Sequence, residues 1–192
     1  MRRLGNLVSI LKTELANMHT YVVLLLVNIN NYQKASLEAL KYLAKEEGLP
    51  GVYVSVNRPY IAIRDTLISE DIDVETMVFI DAITKISGGT AEKVDNCLYL
   101  EGPENLTDFS ISITEAVSAL KFSEKFLFFD SANTLLVYND AESVSRFFHF
   151  LTSRIRLWGV KGLVVALDRK TEKDVIAQIS QFCDKVIDLG EG

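Results

Sequence analysis

Little in this sequence invites covalent or metal chemistry. There are two cysteines and two histidines in 192 residues. Cys97 and Cys183 lie far apart, form no CxxC pair and stand in apolar stretches, so they read as small buried hydrophobes of a reducing compartment. His19 and His149 have no Cys or Glu at ligand spacing, which argues against a zinc site. Continuous apolar runs are short as well: the longest, Tyr21–Val27, falls far below the ~20 residues a membrane-spanning helix requires. Arg2 and Arg3 open the chain, but Lys12 and Glu14 interrupt the segment after them and no small-residue cleavage pattern appears. A signal peptide is therefore not expected, and a cytoplasmic location is. Basic residues are the minority, 20 against 26 acidic, for a net charge of −6. That balance repels phosphate backbones, so nucleic-acid binding is disfavoured. Arg154, Arg156, Lys161, Arg169, Lys170 and Lys173 form a mild basic zone, which reads as a solvated face.

With 48% hydrophobic residues and only three prolines and ten glycines, the composition is globular, and the length fits one domain over residues 1–192. Leu4, Leu7, Val8, Leu11 and Leu15 recur at helical spacing, so residues 1–19 are expected to carry a helix packed on the core. Tyr21–Ile29 is a continuous apolar and β-branched run, the pattern of a strand buried on both faces. A helix over Lys34–Glu47, with Gly48 as its stop, is predicted next. Further strands are expected at Gly51–Val56, Thr76–Ile80, Cys97–Leu100, Phe126–Phe129, Leu163–Leu167 and Val186–Leu189. Between them the spacing predicts helices at Tyr60–Ile68, at Asn105–Leu120 and near Lys173–Cys183. Another, capped by Asn139 or Asp140, carries Val144, Phe147, Phe148, Leu151, Ile155 and Trp158 on one face and stops at Gly159. Phe150 falls off that face and marks a candidate interface. Alternation of this kind implies a mainly parallel sheet between two helical layers, a three-layer α/β/α fold.

In such sheets ligands bind beyond the carboxyl ends of the strands, which here puts Asn28–Lys34, Asn57, Asp81, Asp130 and Asp168 on one crest. The strand-to-helix turn Asn28-Ile29-Asn30-Asn31-Tyr32-Gln33-Lys34-Ala35 occupies the place of a phosphate loop, G-x-x-x-x-G-K-[ST]. Lys34 matches. Asn28 tolerates the turn that glycine would make, but Gln33 puts a side chain where backbone must approach phosphate. Ala35 lacks the metal-binding hydroxyl, and Ser36 is one residue late, about 100° further around the helix. Mg-ATP hydrolysis is therefore not expected. The bland readings of the other residues are a solvated Lys34, and Asp81, Asp130 and Asp168 as turn caps rather than a carboxylate cluster for Mg²⁺. Ser131 has no G-x-S-x-G setting and no evident His partner, so no hydrolase triad is expected.

The order of these segments resembles that of the RecA-like P-loop ATPases, and within them the KaiC-like branch common among archaeal proteins. Phe126-Leu127-Phe128-Phe129-Asp130-Ser131 is similar to the family's Walker B strand, and Val52–Val56 to the strand that in this branch ends in catalytic glutamates. Here Asn57 and Arg58 stand in their place. Phe79-Ile80-Asp81-Ala82, the helix start Asn105-Leu106-Thr107 and the closing Val186-Ile187-Asp188-Leu189 extend the likeness over most of residues 20–190. The resemblance implies a RecA-like fold and side-by-side assembly. With the cradle and the catalytic carboxylate both altered, it also implies a pseudo-ATPase, a regulatory or structural module with a protein partner or a homo-oligomer. No catalytic residue, metal site, cofactor or membrane contact is expected. A residual nucleotide site, if one survives in the altered loop, would use Asn28, Asn31, Gln33, Lys34, Ala35, Ser36, Asn57 and Asp130. The other readings are a nucleotide- or phosphate-binding protein with an altered loop, and an accessory paralogue of DNA recombination.

Overall fold

A computed structural model describes residues 7–189. Leu4 of the first helical stripe and the arginines at positions 2 and 3 lie outside the described residues. Seven strands form one sheet: β1 (Tyr21–Val27), β2 (Gly51–Ser55), β3 (Met77–Asp81), β4 (Cys97–Tyr99), β5 (Phe126–Asp130), β6 (Lys161–Leu167) and β7 (Lys185–Asp188). Their order is β4-β3-β2-β5-β6-β1-β7, and every pairing is parallel. The helices are α1 (Leu7–Leu15), α2 (Tyr32–Leu40), α3 (Tyr60–Ser69), α4 (Leu106–Ala119), α5 (Ala132–Tyr138), α6 (Ala141–Trp158) and α7 (Lys173–Gln181).

Period-two alternation sorts the strand side chains between two cores. Tyr21, Val23, Leu25 and Val27 of β1 join Tyr53, Phe79, Phe126 and Phe128 on the face covered by α1, α2 and α3. Val22 and Leu24 join Val52, Val54, Leu127 and Phe129 on the opposite face, under α4, α5, α6 and α7. Both faces are buried, which is why the strands read as apolar runs instead of alternating ones. On the second face Phe129 meets Phe148 edge-on at 5.2 Å and Phe147 at 5.9 Å, an aromatic cluster under α6.

Several boundaries differ from the sequence reading for local reasons. β1 ends at Val27, and Ile29, 61% exposed, lies in a 3-10 turn over Ile29–Asn31. The Asn28 side chain accepts the Asn30 N–H at 3.0 Å and so turns the chain out of the sheet two residues early. Consequently α2 starts at Tyr32, not Lys34, and it continues beyond Leu40 as a π-helical stretch, Lys41–Glu46. α5 has no counterpart in the sequence reading. Its seven residues come directly after β5, too short a run for helical periodicity to register. The α6 ends are as read: Asp140 accepts the Ser143 N–H at 2.8 Å, and Gly159 closes the helix at φ 67°.

Candidate functional site

The carboxyl ends of β1, β2, β3, β5 and β6 meet at one crest. Parallel register fixes the heights: Ser55 and Val165 both pair with Asp130, and Val165 also pairs with Leu25 across β6. Asp130 shares the parity of Phe128, so its carboxylate faces the α2 and α3 layer. Tyr53 lies two residues before Ser55 on that same face of β2.

Asp130 is buried and does not stand free. The Tyr53 hydroxyl donates to its Oδ2 at 2.5 Å, and the Tyr32 hydroxyl, from the first residue of α2, donates to its Oδ1. Asn57 then donates from Nδ2 to the Tyr32 hydroxyl oxygen at 2.6 Å and to Ser131 Oγ at 3.2 Å, while Thr134 of α5 donates to Asn57 Oδ1. The peptide between Asp130 and Ser131 is cis. The network links β2, β5, α2 and α5 into one polar plug at the centre of the crest.

The electrostatics of the plug arise from burial. Burial raises the Asp130 pKa, opposed in turn by the hydrogen bonds of Tyr32, Tyr53 and Asn57 and by the Arg58 charge. Burial first, and then the Asp130 charge, pushes both the Tyr32 and the Tyr53 phenol upward. Both therefore remain neutral donors to the carboxyl oxygens across the physiological range.

The sequence-predicted residues divide into two groups. Asn57 and Asp130 come together in the plug. Asn28, Asn31, Gln33, Lys34, Ala35 and Ser36 lie on the turn and the first helical turns beside it. Asn28 is committed to its own turn, Gln33 and Lys34 are exposed, and Ala35 is buried in the α2 core. Asp81 is spent as a cap: it accepts Tyr60 N at 2.6 Å, Ile83 N at 2.7 Å, Thr84 N at 2.8 Å and Thr84 Oγ1 at 2.5 Å. Asp168 is exposed and joins no cluster with the other two. Among the described residues no group of three or more His, Cys, Asp and Glu side chains could hold a metal ion. Ser131 lies within hydrogen-bond distance of Thr134 and Asn57, and no histidine is among its hydrogen-bond partners in the described residues.

Sequence reasoning missed Tyr32, Tyr53 and Thr134. Tyr53 left a readable signal: a residue with a polar tip inside an apolar strand, at the same parity as a strand-end acid on a neighbouring strand. Tyr32 and Thr134 left none, because a polar residue in the first turn of a helix is ordinary and nothing local marks its hydroxyl as bound to a distant strand end.

Residues 30–189 match the model of DUF7504, a family of unknown function. No curated protein matches the chain. Among solved structures it is similar to a KaiC-like protein of the hyperthermophilic archaeon Pyrococcus horikoshii OT3. The TM-score is 0.62 at 17% identity, covering 88% of this chain and 71% of that one. An uncharacterised protein of Pyrococcus horikoshii, solved in complex with an unknown peptide, has a TM-score of 0.69 at 15% identity, covering 94% of this chain and 82% of that one. At these identities the likeness shows the fold alone, a RecA-like three-layer α/β/α domain.

Proposed function

Because the chain belongs to the DUF7504 family, for which no function is known, we propose its role from its own geometry: a KaiC-like domain without nucleotide turnover that serves as a regulatory or structural protein-interaction module. The observation that carries this reading is the Tyr32–Asp130–Tyr53 arrangement. In a phosphate-loop ATPase the acid after the buried strand must reach metal-bound water or phosphate, and the loop must offer bare N–H groups to oxygen. Here both oxygens of Asp130 accept tyrosine hydroxyls, and the loop is a 3-10 turn closed on its own Asn28 side chain. No carboxylate comes after β2, since Asn57 and Arg58 occupy that turn. No bound cofactor is part of this reading, and Mg-ATP is disfavoured.

The interaction half of the proposal draws support from the surface. Phe150 (48% exposed) and Leu157 (83%) lie seven residues apart on α6, and Arg154 between them places its guanidinium over the rings of Phe150 and Trp158. Such an aromatic and arginine stripe is the composition enriched at protein interfaces. The relative solved with a peptide makes peptide or protein recognition on this fold a reasonable class of role for the present chain. A phosphate-release assay with Mg-ATP tests the catalytic half. The wild type should stay at the level of a protein-free blank, and hydrolysis that Lys34→Ala or Asp130→Asn abolishes would overturn the proposal.

A further inference from the structure

Beside the Asp130 plug, between α2 and α3, the structure holds a cavity of about 250 Å³. Its walls are aliphatic, with Leu37 and Leu40 from α2 facing Ile63 and Leu67 from α3. Its polar groups are biased toward positive charge. Arg58 lines it with a half-buried guanidinium that forms no ion pair among the described residues. Of its five N–H donors, only those of one terminal nitrogen are engaged, on the Ala62 carbonyl at 3.0 Å and on Thr66 Oγ1 at 2.9 Å. Lys34, exposed at the rim, likewise has no ion pair among the described residues. The one acid that lines the cavity, Asp130, is near enough for the Arg58 charge to act on it, but it forms no ion pair with Arg58 and its oxygens accept two tyrosine hydroxyls.

Ser36 adds a second, independent sign. It lines the same cavity, 6% exposed, and its hydroxyl is buried with no hydrogen-bond partner. A serine inside a helix ordinarily bonds back to the carbonyl four residues earlier. An orphaned hydroxyl and a guanidinium with unused donors, together in an apolar cavity, are each costly unless something pairs with them.

We propose that this cavity binds a small organic carboxylate with an apolar body, its carboxylate held by Arg58 and Lys34 and its body lying against the leucine and isoleucine walls. The planar guanidinium fork matches a carboxylate and takes it through two parallel hydrogen bonds. An inorganic anion leaves the aliphatic walls without contact, and a neutral apolar molecule leaves Arg58 unpaired. The volume falls just below the roughly 300–1,000 Å³ of sites for drug-sized ligands, which suits a compact acid. This inference goes beyond the proposed interaction role and does not depend on it.

Isothermal titration of the wild-type chain with hexanoate, 4-methylpentanoate and phenylacetate tests it, with hexanamide and inorganic phosphate as matched controls and neither nucleotide nor metal present. At least one acid should bind, with both controls weaker by about ten-fold or more, which is 1.4 kcal/mol. Arg58→Gln should weaken that acid by at least about ten-fold. Lys34→Gln, an exposed change that leaves the core intact, should weaken it by about two- to five-fold, and Leu67→Trp should abolish binding by filling the cavity. Absence of heat from all three acids overturns the proposal. So does phosphate or hexanamide binding as tightly as the acids, or an affinity unchanged in Lys34→Gln and in whichever of the other two variants folds.

Discussion

Asp130 concentrates the chemistry of the crest in a single side chain. It ends a strand of four apolar residues, is buried, and accepts two tyrosine hydroxyls. Burial outweighs those hydrogen bonds, so its pKa stands above the usual carboxylate value. A raised folded-state pKa means that the native chain binds the proton more tightly than the unfolded one. The group's contribution to stability is then complete below the unfolded value of about 3.9 and is lost as pH rises through the folded value. Urea denaturation of the wild type and Asp130→Asn across that range should therefore show the wild type losing stability relative to the variant as pH increases. A relative gain with pH would mean that the tyrosine hydroxyls stabilise the carboxylate more than burial penalises it. That Asp130 stands on the crest was legible from its place at the end of an apolar strand, where it reads as a turn cap. That it is already occupied was not, because the hydroxyls that occupy it come from other strands and helices.

Among the elements, α2 and α6 show how far local signals reach. α6 was legible at both ends, since a side-chain cap at Asp140 and a left-handed glycine at Gly159 act within a few residues of the helix they bound. Its buried stripe was equally plain, because Val144, Phe148, Leu151 and Ile155 repeat at helical spacing over 18 residues. The start of α2 was displaced by two residues, because an Asn-capped 3-10 turn took the place of a wider loop. The exposed side of α6 carries the element's own prediction. If Phe150 and Leu157 form an assembly surface, sedimentation velocity should show the wild type as a defined oligomer of the 21.5 kDa chain. Phe150→Asp should return it to monomer, a charge at an interface centre costing on the order of 2 kcal/mol or more. A wild type that sediments as a monomer at every concentration contradicts self-association through α6.

At the scale of the whole fold, the described residues form a parallel seven-stranded sheet covered on both faces, and this architecture could be read from the sequence because burial on two sides writes itself as uninterrupted apolar runs. The strand order could not be read in the same way, since it depends on which crossovers skip a neighbour. That order places β6 between β1 and β5 and β2 on the far side of β5, and so brings the α2 start, Tyr53 and Asp130 together. On the role proposed above, the crest is closed by the chain's own side chains, since both oxygens of Asp130 accept tyrosine hydroxyls. Isothermal titration with Mg-ATP and Mg-ADP, with Lys34→Ala as control, tests that statement most directly. A closed crest predicts no heat beyond dilution for either nucleotide in either protein, whereas saturable heat in the wild type that disappears in Lys34→Ala would show that the plug opens and that the chain is a nucleotide-binding protein with a rebuilt loop.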